Sequence, residues 1–168
     1  VYSNTEEVEF FLNGESLGRK TPDSGRVSSH LNHPPFTFEI DKFKPGTLRT
    51  IGYIDGEEVA EYIQITPEEP SAIDLEVDLS NKPIEAGQKD VVFVYVSVVD
   101  ENGTVVPVAE NEISFEIEGN AELIGENPIS AEAGIATILL RAGDEPGSVT
   151  VTATNNELEQ ATKHVEIE

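Results

Sequence analysis

Val91-Val92-Phe93-Val94-Tyr95-Val96-Ser97-Val98-Val99, followed at once by Asp100-Glu101-Asn102-Gly103, is the stretch that decides the fold class. The run is valine and aromatic almost throughout, the residue types that fit a pleated sheet. It is far shorter than the roughly 20 apolar residues that span a bilayer as a helix. A strand with so little polar alternation predicts a central position with both faces covered. The Asp-Glu-Asn-Gly sequence predicts a hairpin turn leading into Thr104–Pro107.

Across the rest of the chain alternation with period two dominates, and no stretch keeps a helical period over three turns. On the N-terminal side Ile73, Leu75, Val77 and Leu79 alternate with Asp74, Glu76 and Asp78. On the C-terminal side, strands are predicted at Ile113–Glu118, Ala121–Ile124, 134–141, Ser148–Thr154 and Ala161–Ile167. Short strands at this spacing, broken by Gly, Pro and Asn, form the pattern of an immunoglobulin-like sandwich. Thr66-Pro67-Glu68-Glu69-Pro70 ends this unit on its N-terminal side, and its two prolines predict a short, stiff linker that limits freedom between units.

Before the linker the same grammar recurs. Val8, Phe10 and Leu12 alternate with Glu9, Phe11 and Asn13, and Asn13-Gly14 predicts a type I′ turn returning through Ser16–Arg19. Residues 20–35 read as a long polar loop, and Phe36-Thr37-Phe38-Glu39-Ile40 resumes the alternation as a predicted strand. Thr47–Ile54, Asp55-Gly56 and Glu57–Ile65 complete a second hairpin. The expected fold is all-β, two immunoglobulin-like β-sandwich domains in tandem, divided into 1–66 and 67–168.

Charge supports that division. The net charge of −23 comes from 33 acidic and 10 basic residues. Residues 1–66 hold 11 acids and 6 bases, whereas 67–168 hold 22 acids and 4 bases. Such a field repels phosphate backbones and anionic lipid, which argues against nucleic acid or membrane insertion. It suits a soluble protein outside the cell, so a periplasmic or extracellular location is expected. With no cysteine, disulfides, thiolate metal sites and a cysteine nucleophile are excluded. Methionine is absent even at position 1, so the numbering is expected to start inside a longer gene product.

Val1-Tyr2-Ser3-Asn4, Val8-Glu9-Phe10-Phe11-Leu12-Asn13-Gly14 and Ser16-Leu17-Gly18 together resemble the accessory β-sandwich that follows the catalytic barrel in bacterial family 2 glycoside hydrolases, most of them β-galactosidases. Pro45-Gly46-Thr47-Leu48, Tyr53, Asp55-Gly56 and Val59-Ala60 are similar to the later part of that module. Asp90-Val91-Val92-Phe93-Val94, Val98–Gly103, Val106-Pro107, Phe115, Gly119 and Gly134-Ile135-Ala136 are similar to the bacterial immunoglobulin-like C-terminal domain of the same enzymes. Members carry a tryptophan-bearing strand just before the first string, which this chain begins too late to show. After Leu123-Ile124-Gly125, where the family continues with a glycine-rich turn, this chain reads Glu126-Asn127-Pro128.

The resemblance implies a non-catalytic C-terminal region of a secreted or periplasmic family 2 glycosidase, with the catalytic domain of the same chain as its partner. Retaining glycosidases use two carboxyls about 5–5.5 Å apart. The resemblance puts that pair in the barrel upstream, so the acids here are expected to solvate strand faces. No catalytic, cofactor-binding or metal-binding residue is expected. His30 and His33 sit two apart across Leu31-Asn32 in a polar loop, with His164 far away, too few ligands for zinc. Asp100-Glu101-Asn102-Gly103-Thr104 has the flavour of a calcium loop, but Val105-Val106-Pro107 breaks the ligand spacing. Asn102-Gly103-Thr104 is also a glycosylation sequon, of consequence only in a glycosylating host.

Two alternatives stay open. A carbohydrate-binding module would need exposed aromatic residues gathered on one sheet. Yet there is no tryptophan, most of the phenylalanines fit the core, and Tyr2, Tyr53, Tyr62 and Tyr95 are scattered among strands. An immunoglobulin-like spacer of a bacterial surface protein would have further sandwiches upstream in place of a barrel.

Overall fold

The computed structural model describes residues 1–168, the side chain of Ser29 excepted. Contacts divide the chain into two units, Val1–Thr66 and Pro67–Glu168. Both are built from antiparallel strands.

In the first unit, β1 (Glu7–Leu12), β2 (Glu15–Lys20), β3 (Thr47–Ile54) and β4 (Glu57–Ile65) form one sheet in the order β2-β1-β3-β4. The two tight hairpins form where the sequence predicts them. Asn13 and Gly14 take φ of 52° and 81°, and Asp55 and Gly56 take the same pair of values, the positive-φ pattern of a type I′ turn. Asn13 also holds the Pro45-Gly46 turn: its side chain accepts from the Thr47 N–H at 2.8 Å and donates to the Pro45 carbonyl at 3.1 Å.

Register puts Val8, Phe10 and Leu12 on one face, beside Leu48, Thr50 and Gly52 of β3 and Tyr62 and Gln64 of β4. Phe36 and Phe38 cover the β1 part of this face; Phe36 is buried, and Phe38 stacks on Phe10 with centroids 4.9 Å apart. Phe36–Ile40 is nevertheless not a strand, which corrects the reading from alternation. Its backbone pairs with another backbone segment at one position only, where Val1 and Phe36 exchange N–H···O bonds of 2.9 Å; the Thr37 carbonyl accepts from the Lys20 side chain instead. Alternation reports which side chains face the core, but a ladder also needs a neighbouring strand of matching length.

The second unit has two sheets. β5 (Ala72–Asp78), β6 (Val91–Val99), β10 (Ile135–Ala142) and β8 (Ala121–Ile124) lie in the order β5-β6-β10-β8. The other sheet follows the order β12-β11-β7-β9, from β12 (Ala161–Ile167), β11 (Gly147–Thr154), β7 (Glu112–Glu118) and β9 (Ile129–Ser130). Their inner faces share one core. Leu75, Val94, Val96, Ile138 and Leu140 come from the first sheet, and Ile113, Phe115, Val149, Val151 and Val165 from the second. This is a β-sandwich, with facing side chains interdigitated between the layers.

Val91–Val99 is central, between β5 and β10, but its outer face is left open towards the N-terminal end of the strand. Val94, Val96 and Val98 are fully buried, whereas Val91 and Phe93 are about half exposed, at 47% and 49%. The expectation of a doubly covered strand is corrected here: an apolar run states that both faces suit burial, not that this chain supplies both covers.

Asn127, in the segment where the sequence departs from the glycine-rich turn, closes the edge of β7. Its side chain accepts from the Phe115 N–H at 2.9 Å and donates to the Phe115 carbonyl at 2.7 Å, as a neighbouring strand would. Asn127→Ala is expected to destabilise the unit by about 2–3 kcal/mol, because both backbone groups of Phe115 lose their partner. Urea denaturation of the two proteins measures this; a difference under about 0.5 kcal/mol, the size of an ordinary surface substitution, would contradict the assignment.

Candidate functional site

The first unit leaves half of its sheet face uncovered. Beyond Phe36 and Phe38, an apolar groove of about 480 Å³ runs over β3 and β4, with Val8, Phe10, Leu48 and Ala60 among the residues of its floor and sides. Tyr2 and Tyr62, 90% and 64% exposed, stand at this groove, and Val1 lines it as well. β4 is exposed along its full length and is an outer strand of the sheet. Ala60, Tyr62 and Gln64 are the β4 residues on the groove face.

The opposite face of the sheet is mixed: Ile63 and Ile65 of β4, half exposed, share it with a set of paired polar groups. Arg19 lies over the Tyr53 ring, 3.6 Å from its centroid, and pairs with Glu7 at 2.6 Å. The Tyr53 hydroxyl donates to Glu9 at 3.1 Å. Burial, with that bond to a carboxylate, pushes the phenol above its ordinary value. Arg49 bonds Glu61, which raises the guanidinium further, and lies over Phe11. Cations placed on rings and carboxylates in this way stabilise the surface of the unit.

Asp100 is the one buried acid among the described residues. Its carboxylate accepts from the backbone N–H groups of Glu68 at 2.8 Å, Thr104 at 2.8 Å and Asn102 at 2.9 Å. The bond from Glu68 does most to hold its pKa below the ordinary value; burial opposes it, and the bonds from Thr104 and Asn102 reinforce it. The turn resembling a calcium loop thus directs its first carboxylate at backbone N–H groups, two of the turn itself and one of Glu68. The link to Glu68 runs from the hairpin to the segment that opens the second unit.

His30 ends a short 3-10 helix, Ser28–His30, and both it and His33 are exposed. His164 lies on β12 of the second unit, where its Nδ1 is 3.0 Å from the Thr150 hydroxyl. Among the described residues no group of three or more His, Asp or Glu side chains is placed to hold a metal ion. The tyrosines are less scattered than their spacing suggests: Tyr2 and Tyr62 meet at the groove, Tyr53 lies on the far face of the same sheet, and Tyr95 is on β6. That meeting depends on the register of β3 with β4, which no local motif carries.

Residues 75–164, more than half the chain, match the family model described as glycoside hydrolase family 2 C-terminal domain 5. The chain belongs to glycoside hydrolase family 2. Residues 1–60 match a second model, described as a domain of unknown function (DUF4982). A β-galactosidase of Thermoanaerobacter pseudethanolicus is 36% identical over 93% of this chain and 22% of its own length. The β-galactosidase BoGH2A of Bacteroides ovatus is 33% identical over 99% of this chain and 20% of its own. A crystal structure of a glycosyl hydrolase family 2 member from Bacteroides cellulosilyticus superimposes with a TM-score of 0.80, at 28% identity, over 99% of this chain and 22% of that one. The family 2 chain described here therefore spans about a fifth of the length of the relatives it matches.

Proposed function

We propose that this chain is the non-catalytic C-terminal region of a family 2 glycoside hydrolase of β-galactosidase type, packed on the catalytic domain of the same parent chain and supporting it. The observation that carries this reading is the mismatch in coverage: nearly all of this chain aligns, against about a fifth of each relative. The apolar groove supports it physically. Val1 lines that groove, so polypeptide preceding it in a longer parent enters beside an uncovered apolar face. An exposed patch of this kind is characteristic of a protein contact. The parent is assigned to the periplasm or the medium, a placement favoured by the acidic surface and testable by cell fractionation.

The expected result for the isolated chain is no release of nitrophenol from p-nitrophenyl β-galactoside above buffer. In the parent, deletion of these residues should lower the temperature of thermal inactivation. Specific turnover by the isolated chain, or an inactivation temperature unmoved by the deletion, would sink the proposal.

A further inference from the structure

The segment Phe36–Ile40 has two backbone edges, and one of them is nearly vacant. In an extended segment the N–H and C=O of one residue point to the same edge, and successive residues alternate. The Pro35 carbonyl accepts from the Asp23 N–H at 2.9 Å, and the Thr37 carbonyl from Lys20 Nζ at 2.7 Å. That edge faces β2 and the residues after it. Phe36 points the other way and exchanges both of its bonds with Val1, each of 2.9 Å. Such an exchange is the hydrogen-bonded pair of an antiparallel ladder. Beyond it, the backbone groups of Phe38 and Ile40 have no partner among the described residues. The ladder has one rung, and Val1 supplies it.

We infer that, in the parent, the residues immediately preceding Val1 form a β-strand that pairs with Phe36–Ile40 and roofs the groove. This rests on the reading above that a longer chain precedes Val1. The register follows from the existing rung. With Val1 opposite Phe36, the second and fourth residues before Val1 stand opposite Phe38 and Ile40. Opposed residues of an antiparallel pair share a face, so those two positions face the sheet with Val1 and should be apolar. The first and third look outward, beside Thr37 and Glu39. Position follows as well. Phe38 stacks on Phe10 of β1 and the filled edge is towards β2, so the vacant edge lies towards β3 and β4. There Leu48, Ala60 and Tyr62 line the open groove. One element thus meets two demands: a vacant strand edge takes a ladder partner, and an exposed apolar face takes a cover. Val1 already holds the first rung, so the polypeptide joined to it reaches the second with no loop to close.

Hydrogen exchange of the full-length parent and of the 168-residue chain, resolved to single amides by fragmentation mass spectrometry, tests this. In the isolated chain the Phe38 and Ile40 N–H groups have no acceptor and should exchange fast. In the parent both are expected to slow by about a hundredfold or more, with Thr37 and Glu39 little changed. That alternation is the signature of one paired edge. Equal rates at Phe38 and Ile40 in the two proteins would overturn the inference. So would uniform slowing from Thr37 to Ile40, which marks burial beneath a domain and not a ladder. Charged residues at both the second and fourth positions before Val1 would count the same way. Each of these failures leaves the accessory reading standing, since another part of the parent can still cover the groove. Turnover by the isolated chain would sink that reading and leave the exchange pattern intact.

Discussion

Leu140→Ala is expected to destabilise the second unit by about 2–5 kcal/mol. Leu140 is fully buried in β10, in register with Val92 of β6 and Leu123 of β8. Its side chain lies between the two layers, and both are held by the ladders that flank it, so collapse around the vacated volume is limited. A domain this size has only about 5–15 kcal/mol of total stability, so the variant forfeits a large share of it. Urea denaturation followed by circular dichroism should show a lower midpoint with an unchanged slope. Wild-type stability would mean that the two sheets do not share this core. The first unit contributes no residue to that cluster, and its own transition should stay in place.

Asp100→Ala is the second large effect, and it acts through the backbone. The substitution strips the partner from three N–H groups at once, those of Glu68, Asn102 and Thr104. Hydrogen bonds to charged groups are among the stronger ones. A fall in melting temperature on the order of 10 °C is expected. The effect should also depend on pH. The folded carboxylate titrates below its ordinary value, so the folded state favours the charged form. Its stabilisation is complete above the unfolded value of about 3.9 and fades as pH falls through the lower folded value. Asp100→Asn should therefore differ most from wild type at neutral pH, with the two melting curves converging in strong acid. A gap that stays constant from pH 7 to pH 2 would contradict this role for the charge.

Much of this fold was legible from period and turn chemistry. Thr47–Ile54, Glu57–Ile65, Val91–Val99 and Ala161–Ile167 occupy the spans that alternation marks, because each has partners on at least one side. The type I′ turns followed from Asn13-Gly14 and Asp55-Gly56, where only a few residues tolerate the required φ. What failed was whatever depends on distant neighbours. Phe36–Ile40 has the pattern of a strand but one paired position, and β9 is two residues long, too short to show a period. Asn127 reads as a loop residue until the Phe115 backbone is placed beside it.

The candidate surfaces were less legible for the same reason. Tyr2 and Tyr62 are sixty residues apart in sequence, and the groove they share is made by register and by the short reach of the Phe36–Phe38 cover. The exposure of Val91 and Phe93 reversed the expectation for the most apolar strand in the chain.

The packing role requires the groove of the first unit to be covered by the parent. Hydroxyl-radical footprinting of the isolated chain and of the full-length parent, read by mass spectrometry at Tyr2 and Tyr62, tests it most directly. Strong labelling of both tyrosines in the isolated chain and several-fold protection in the parent is the predicted result. Equal labelling of Tyr2 and Tyr62 in the two proteins would mean that the groove stays open, and the packing role assigned to it would be wrong.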